Sequence, residues 1–280
     1  MVVGALALGG GVAYALAPSA ADQAAAMEAP DGTQPASPVE APASASVQVT
    51  QSASPVAPSA QPSPSGPSPS AQPSVAASGA NCPTGENQRE VEGYLAQIGG
   101  YGAVTVDGQQ SPADCAAIRK FQTRFGISPP KGRAGPTTVS VARRIALSLT
   151  SAELAKCGAG PALTACVDLT LQTMWVVRNG DVVFGPTVIR TGMKGYATPT
   201  GTYSVFRRNV KEWSNPYEVW LPYWQNFVRG IGFHATTTYL HRASIGSHGC
   251  VNLLYNDAKT LYGTIGMRTP VKVFGHRSGT

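Results

Sequence analysis

The stretch that most limits what this chain can fold into is the one that cannot fold. From Asp22 to Ala80 the residues are mostly Ala, Pro, Ser, Gly and Gln, with Pro at 55, 58, 62, 64, 67, 69 and 73. Burial of so little apolar surface cannot offset the entropy of ordering the backbone. The prolines favour extended polyproline segments with no internal hydrogen bonds. Residues 22–80 are therefore expected to be a disordered linker. Ahead of it, the apolar, Gly/Ala-rich run Met1–Ala17 reads as an export signal peptide or a membrane anchor, spanning 1–21 with its cleavage region. About seventeen apolar residues is at the short limit for crossing a bilayer. Any packed structure must come from the remaining ~200 residues, enough for one medium domain and one small one.

Charge follows the same division. All 21 Lys and Arg lie from Arg89 onward, whereas Asp22, Glu28, Asp31 and Glu40 precede the foldable part. That part carries 21 basic against 11 acidic side chains, a net charge of +10. A surface so basic suits an anionic partner. There is no basic helix, aromatic-interleaved basic run or zinc-finger spacing, so no nucleic acid partner is expected. An anionic cell wall fits better. Of the five cysteines, Cys82 and Cys115 bracket the small domain, and Cys157 and Cys166 bracket the entry to the large one. Four cysteines allow three connectivities, and the sequential one, Cys82–Cys115 and Cys157–Cys166, is expected. It leaves Cys250 as an odd thiol in an exported protein, hence intermolecular or reactive.

Helical spacing appears first. Val91, Leu95 and Ile98 mark a helix over Gln88–Ile98. Ser111-Pro112-Ala113-Asp114 is a helix start, with Ile118, Phe121 and Phe125 on one face and Gly126 at the end. Gly135-Pro136 opens a third helix carrying Val139, Val141 and Ile145. Together these give a small helical domain over 81–149, joined to the next by a connector at Ser151–Pro161. From Cys166 the period changes to two. Val167, Leu169 and Leu171 alternate with polar residues, Asn179-Gly180 is a hairpin turn, and Gly201–Phe206 is a further strand. Trp213–Phe227 reads as an aromatic-rich loop, and Gly230–Phe233 as a short strand ending in His234. Asn256-Asp257 caps a short helix, and Val271–Phe274 is a last strand. The second domain, 160–276, is thus expected to be mainly β.

Chemistry concentrates in Ser247-His248-Gly249-Cys250-Val251-Asn252, with His234 thirteen residues upstream of Ser247. A thiol that attacks an acyl carbon needs an imidazole to take its proton and backbone N–H groups aimed at the oxyanion. Gly249 permits a sharp turn and leaves the approach to sulfur open. Zinc binding by His234, His241, His248 and Cys250 is disfavoured, because His248 and Cys250 are too close in sequence to share a tetrahedral site easily and no second close pair supports them. No metal or other cofactor is expected.

This pattern of His, spacer and Ser-His-Gly-Cys-Val-Asn resembles the L,D-transpeptidase (YkuD-type) catalytic domain. Thr191-Gly192-Met193 and Ala197-Thr198-Pro199-Thr200-Gly201-Thr202-Tyr203 look like that family's Thr-Gly and Thr-Pro-x-Gly stretches. Ala117–Gln122, Phe125-Gly126-Ile127 and Gly135-Pro136-Thr137-Thr138 resemble a three-helix peptidoglycan-binding domain. The resemblance implies a β-sandwich with a short helix, acting on peptidoglycan stem peptides beside the glycan wall. Cys250 would be the nucleophile and His234 its base, with the N–H groups of Gly249 and Cys250 as the oxyanion hole. Tyr217 and Tyr223 are candidates for a further oxyanion donor. Ser247, His248 and Asn252 would fix the loop and meet substrate. The activity implied is a third-to-third-position crosslink with release of D-alanine. An L,D-carboxypeptidase using the same site, or a non-catalytic wall-binding protein, are the alternatives. The protein is expected outside the cytoplasm and as a monomer.

Overall fold

The computed structural model describes residues 82–236 and 239–280. The leader or anchor at 1–21 and the linker at 22–80 lie outside the described residues. The described residues begin with three helices, α1 (Gln88–Ile98), α2 (Pro112–Arg124) and α3 (Pro136–Ser148). Local chemistry sets the start of α2. Ser111 Oγ accepts from Asp114 N–H while the Asp114 carboxylate accepts from Ser111 N–H, a capping box with Pro112 in the first turn. Val91 and Leu95 of α1, Ile118 and Phe121 of α2, and Val141 and Ile145 of α3 form one core. Phe121 and Phe125 pack ring to ring inside it at 4.7 Å. The connector contains a helix the sequence did not announce, α4 (Ser151–Lys156), capped by Thr150.

The rest is β: β1 (Thr164–Asp168), β2 (Thr173–Arg178), β3 (Asp181–Arg190), β4 (Gly201–Ser204), β5 (Arg207–Ser214), β6 (Val219–Val228), β7 (Ile231–Ala235), β8 (Val251–Leu253) and β9 (Pro270–Phe274), with α5 (Tyr255–Thr264) before β9. They form one sheet in the order β4-β9-β1-β2-β3-β8-β7-β6-β5. The sheet curls so that its two halves face each other over a shared core of Ala165, Val167, Met174, Val176, Ile189, Phe233, Val251, Leu253 and Val271. Phe206 N–H donates to Asn226 O, and Tyr203 meets Phe227 ring to ring at 5.9 Å, tying the β4 end to β6. Ala258 and Leu261 of α5, and Ile265 just after it, also face this core. The mainly β class is as expected, with four of the five described helices ahead of the first strand.

One segment differs from the sequence reading. Trp213–Phe227 is not a loop: β5 and β6 form a long hairpin, with Trp213 opposite Trp220 and a turn at 215–218. The rings of Trp213 and Trp220 pack edge to face at 5.1 Å, a cross-strand pair of the kind that stabilises a hairpin. Helices and sheet belong to one compact unit. Val188 of β3 lies in the helical core. Arg124 of α2 reaches Asp257 of α5 at 2.9 and 3.1 Å, and Thr187 of β3 donates to the same carboxylate. Arg144 of α3 donates to the carbonyls of Leu171 and Gln172. The disulfides are Cys82–Cys115 and Cys157–Cys166, the sequential connectivity, and Cys250 is free.

Candidate active site

Two parallel strands carry the chemistry. β7 pairs with β8 so that Phe233 lies beside Val251 and His234 beside Asn252. Phe233, Ala235, Val251 and Leu253 all enter the shared core. Strand alternation therefore turns His234 and Asn252 to the opposite face. Cys250 stands two residues before Asn252, and the Gly232 N–H, two before His234, points at its sulfur. The sulfur also lies 3.9 Å from Gly230 O, as a weak thiol donor. Sulfur and imidazole thus belong to neighbouring positions on one face.

The protonation states follow from burial. His234 is only 9 % exposed. Its Nδ1 lies 2.8 Å from the Ala235 carbonyl, which can only accept, so Nδ1 carries the proton and Nε2 keeps a lone pair. Desolvation lowers this imidazole to about 4, against a smaller rise from the Ala235 bond. Desolvation pushes the Cys250 thiol up to about 11, opposed in part by the Gly232 N–H. Both groups are thus neutral at rest, and the imidazole keeps a nitrogen able to accept a proton.

The loop around Cys250 is held from within. Ser247 Oγ donates to Cys250 O at 2.6 Å and accepts from Gly249 N–H at 3.1 Å. Of the two N–H groups expected to form the oxyanion hole, that of Gly249 is therefore bonded to Ser247 Oγ. Gly249 also serves the turn. Its φ is +113°, and a Cβ there would sit 2.8 Å from the Ile231 side chain. The His248 ring lies between two tyrosines, stacked on Tyr217 at 4.6 Å and edge-on to Tyr196 at 4.4 Å. Tyr217 comes from the tip of the β5–β6 hairpin and is 42 % exposed. Its phenol is raised by burial first, and then by Cys250 and Tyr196 sharing its surroundings. Asn252 Nδ2 donates to the Tyr239 hydroxyl, and Tyr239 is likewise raised by burial and, less, by Cys250.

The structure therefore brings together Cys250, His234, Gly249, Ser247, His248, Asn252 and Tyr217. Tyr223 stands apart. Its hydroxyl bonds that of Tyr255 and its ring packs on Tyr255 and Tyr262, all against α5. His241 is also turned away from the thiol, its Nε2 2.7 Å from Phe125 O at the end of α2. His276, left without a role, lies near the exposed end of the chain. Tyr196 and Tyr239 were not singled out by the sequence, although Tyr196 precedes the Thr-Pro stretch and Tyr239 lies in the spacer after His234. Arg190 and Arg277 were also missed. Arg190 donates twice to Leu240 O, and Arg277 donates to Thr191, Gly192, Ala243 and Ile245 carbonyls. Together they clamp the stretch from Leu240 to Ile245. Among the described residues no cluster of His, Cys, Asp and Glu is arranged to hold a metal ion.

Comparison with known proteins agrees with this layout. Residues 163–273 match the family model for the L,D-transpeptidase catalytic domain, and residues 84–141 match that for a peptidoglycan binding domain. An L,D-transpeptidase structure from Stackebrandtia nassauensis is 51% identical over 72% of this chain and 98% of that one, with a TM-score of 0.68. An L,D-transpeptidase from Mycobacterium tuberculosis H37Rv is 26% identical over 41% of this chain and 59% of its own, with a TM-score of 0.37. One from Enterococcus faecium is 28% identical over 40% and 50%, with a TM-score of 0.34. No curated protein matches the chain.

Proposed function

The chain belongs to the L,D-transpeptidases, and from that premise we propose that it is a cysteine acyltransferase that crosslinks peptidoglycan stem peptides. Cys250 Sγ attacks the carbonyl of the third-position diamino residue in a donor tetrapeptide. His234 Nε2 takes the thiol proton and passes it to the departing amine, so D-alanine leaves and a thioester remains. An amine of a neighbouring stem then attacks the thioester, the thiol is regenerated, and a third-to-third-position crosslink results. The Cys250 N–H stabilises the oxyanion in both halves. Tyr217 is proposed to meet substrate, on the support of its stack against the His248 ring.

The observation that carries this reading is the His234 ring. Its Nδ1 proton is held by Ala235 O, which directs a neutral, accepting Nε2 toward the side of the sheet that bears the only free cysteine among the described residues. With both groups neutral at rest, the thiol gives its proton to His234 as the sulfur attacks. The helical part supports a wall substrate, because it matches a peptidoglycan binding domain. Two disulfides and a wall-directed catalytic domain favour a site of action outside the cytoplasm. The test is incubation with a disaccharide tetrapeptide and mass spectrometry of the products. A dimer with the mass of two tetrapeptides less one D-alanine is expected. Tripeptide alone assigns L,D-carboxypeptidase activity, and an unchanged substrate rejects both.

A further inference from the structure

Three consecutive peptide groups shape the nucleophile loop, and each is pinned by a hydroxyl. Ser247 Oγ holds the outer two, through Gly249 N–H and Cys250 C=O. The middle one, joining Gly249 to Cys250, is held by Thr198. Its Oγ1 donates to Gly249 O at 2.7 Å and accepts from Gly192 N–H at 3.0 Å. Thr198 is 4 % exposed, so neither bond competes with bulk water. The two bonds together fix the hydroxyl rotor, with its proton on Gly249 O.

That middle peptide is the one that matters for an oxyanion. In a trans peptide the C=O and the following N–H point in opposite directions. With Gly249 C=O drawn to Thr198, the Cys250 N–H points away from Thr198. Gly249 also makes this peptide easy to rotate, because a residue without Cβ at φ +113° offers little resistance to a flip. The glycine that permits the turn thus creates the need for an anchor. The anchor is itself positioned by a close backbone approach. A Cβ on Gly192 would fall 1.9 Å from Tyr196 O and 2.8 Å from Thr198 N.

We propose that Thr198 is a positioning residue that sets the direction of the Cys250 N–H toward the oxyanion; this rests on the acyl-transfer reading above. It touches no reacting atom. Its effect is on the stabilisation of the developing charge, not on the thiol or on substrate capture.

The experiment compares Thr198→Val, which keeps the shape and removes the hydroxyl, with Thr198→Ser, which keeps the hydroxyl. Both are made in the full chain, and alanine replaces valine if valine prevents folding. Kinetics of D-alanine release from the disaccharide tetrapeptide are measured alongside alkylation of Cys250 by iodoacetamide, which forms no oxyanion. Thr198→Val is expected to lower kcat by about 10–100-fold, less than outright loss of a donor. KM should stay within about threefold and the alkylation rate within about twofold. Thr198→Ser should keep kcat within about threefold of the parent. The proposal is overturned if Thr198→Val turns over like the parent, if serine is as poor as valine, or if alkylation falls in step with kcat, which would mean a collapsed loop. An unmodified protein that releases no D-alanine refutes the acyl-transfer reading and this proposal with it; the other outcomes refute the proposal alone.

Discussion

Removing the Arg277 guanidinium should loosen the catalytic loop and cost the fold about 3 kcal/mol. Arg277 follows the last strand and is 8 % exposed. Its Nη1 lies 2.5 Å from Thr191 O and 2.8 Å from Gly192 O, and its Nη2 lies 3.0 Å from Ala243 O and 2.8 Å from Ile245 O. Thr191 O keeps a second donor, Ser247 N–H at 3.1 Å, so its loss is partial. The other three carbonyls lose a bond to a charged donor, worth roughly 1.5 kcal/mol each. Part of that sum is returned, since a buried cation without a carboxylate is costly and burial already pulls this guanidinium below its ordinary value. For about 200 ordered residues the net loss corresponds to a melting temperature lower by roughly 6–12 °C. Arg277→Lys should recover only part, because an ammonium cannot fork across four carbonyls. Urea denaturation of Arg277→Ala, Arg277→Lys and the parent, with D-alanine release in parallel, measures both effects. An alanine variant within about 1 kcal/mol of the parent, or full recovery by lysine, would refute the reasoning.

Further outcomes follow from burial and charge. Cys250 should alkylate slowly at neutral pH and faster up to about pH 11; a plateau below pH 8 would instead indicate a preformed ion pair. His234 is lowered from 6.5 to about 4, so its neutral form stabilises the fold fully above pH 6.5, and that stability is lost as pH falls through 4. The loss is about 3 kcal/mol at most, and urea midpoints measured between pH 7 and 4 should show it as an excess over a His234→Gln variant. Asp257→Ala removes the acceptor of Arg124 and Thr187 and should cost about 2 kcal/mol, the Arg124 part being small because its side chain is 39% exposed. Hydrogen exchange should then rise at the end of α2 and the start of α5. Denatured, unreduced protein should titrate as one thiol, and three or five would mean an open disulfide.

What the sequence disclosed was local. The α2 cap, the Asn179-Gly180 hairpin and the Ser-His-Gly-Cys turn are short patterns whose geometry depends on neighbours in the chain. The β5–β6 hairpin was hidden because its aromatic residues do not alternate with polar ones. Trp213, Tyr217 and Trp220 are all exposed, and the pairing that organises them is across the hairpin. Within the site, His234 and Cys250 were legible from residue type and spacing. Ser247 was expected to fix the loop, but the groups that reach it from farther along the chain were not legible. Thr198 lies 51 residues from Gly249 and Arg277 lies 86 from Thr191, and nothing in either neighbourhood marks the contact. Tyr217 and Tyr223 looked equivalent in sequence. The turn at 215–218 carries one to His248, whereas the other, at a positive φ within β6, packs on α5.

The proposed reaction puts the acyl group on Cys250. Its most direct test is an acid quench of the protein soon after mixing with excess disaccharide tetrapeptide, followed by intact mass and peptide mapping. An adduct with the mass of the tetrapeptide donor less D-alanine is expected on the peptide containing Cys250, and none in Cys250→Ala. D-alanine release by Cys250→Ala within tenfold of the parent, or an adduct on any other residue, would contradict it.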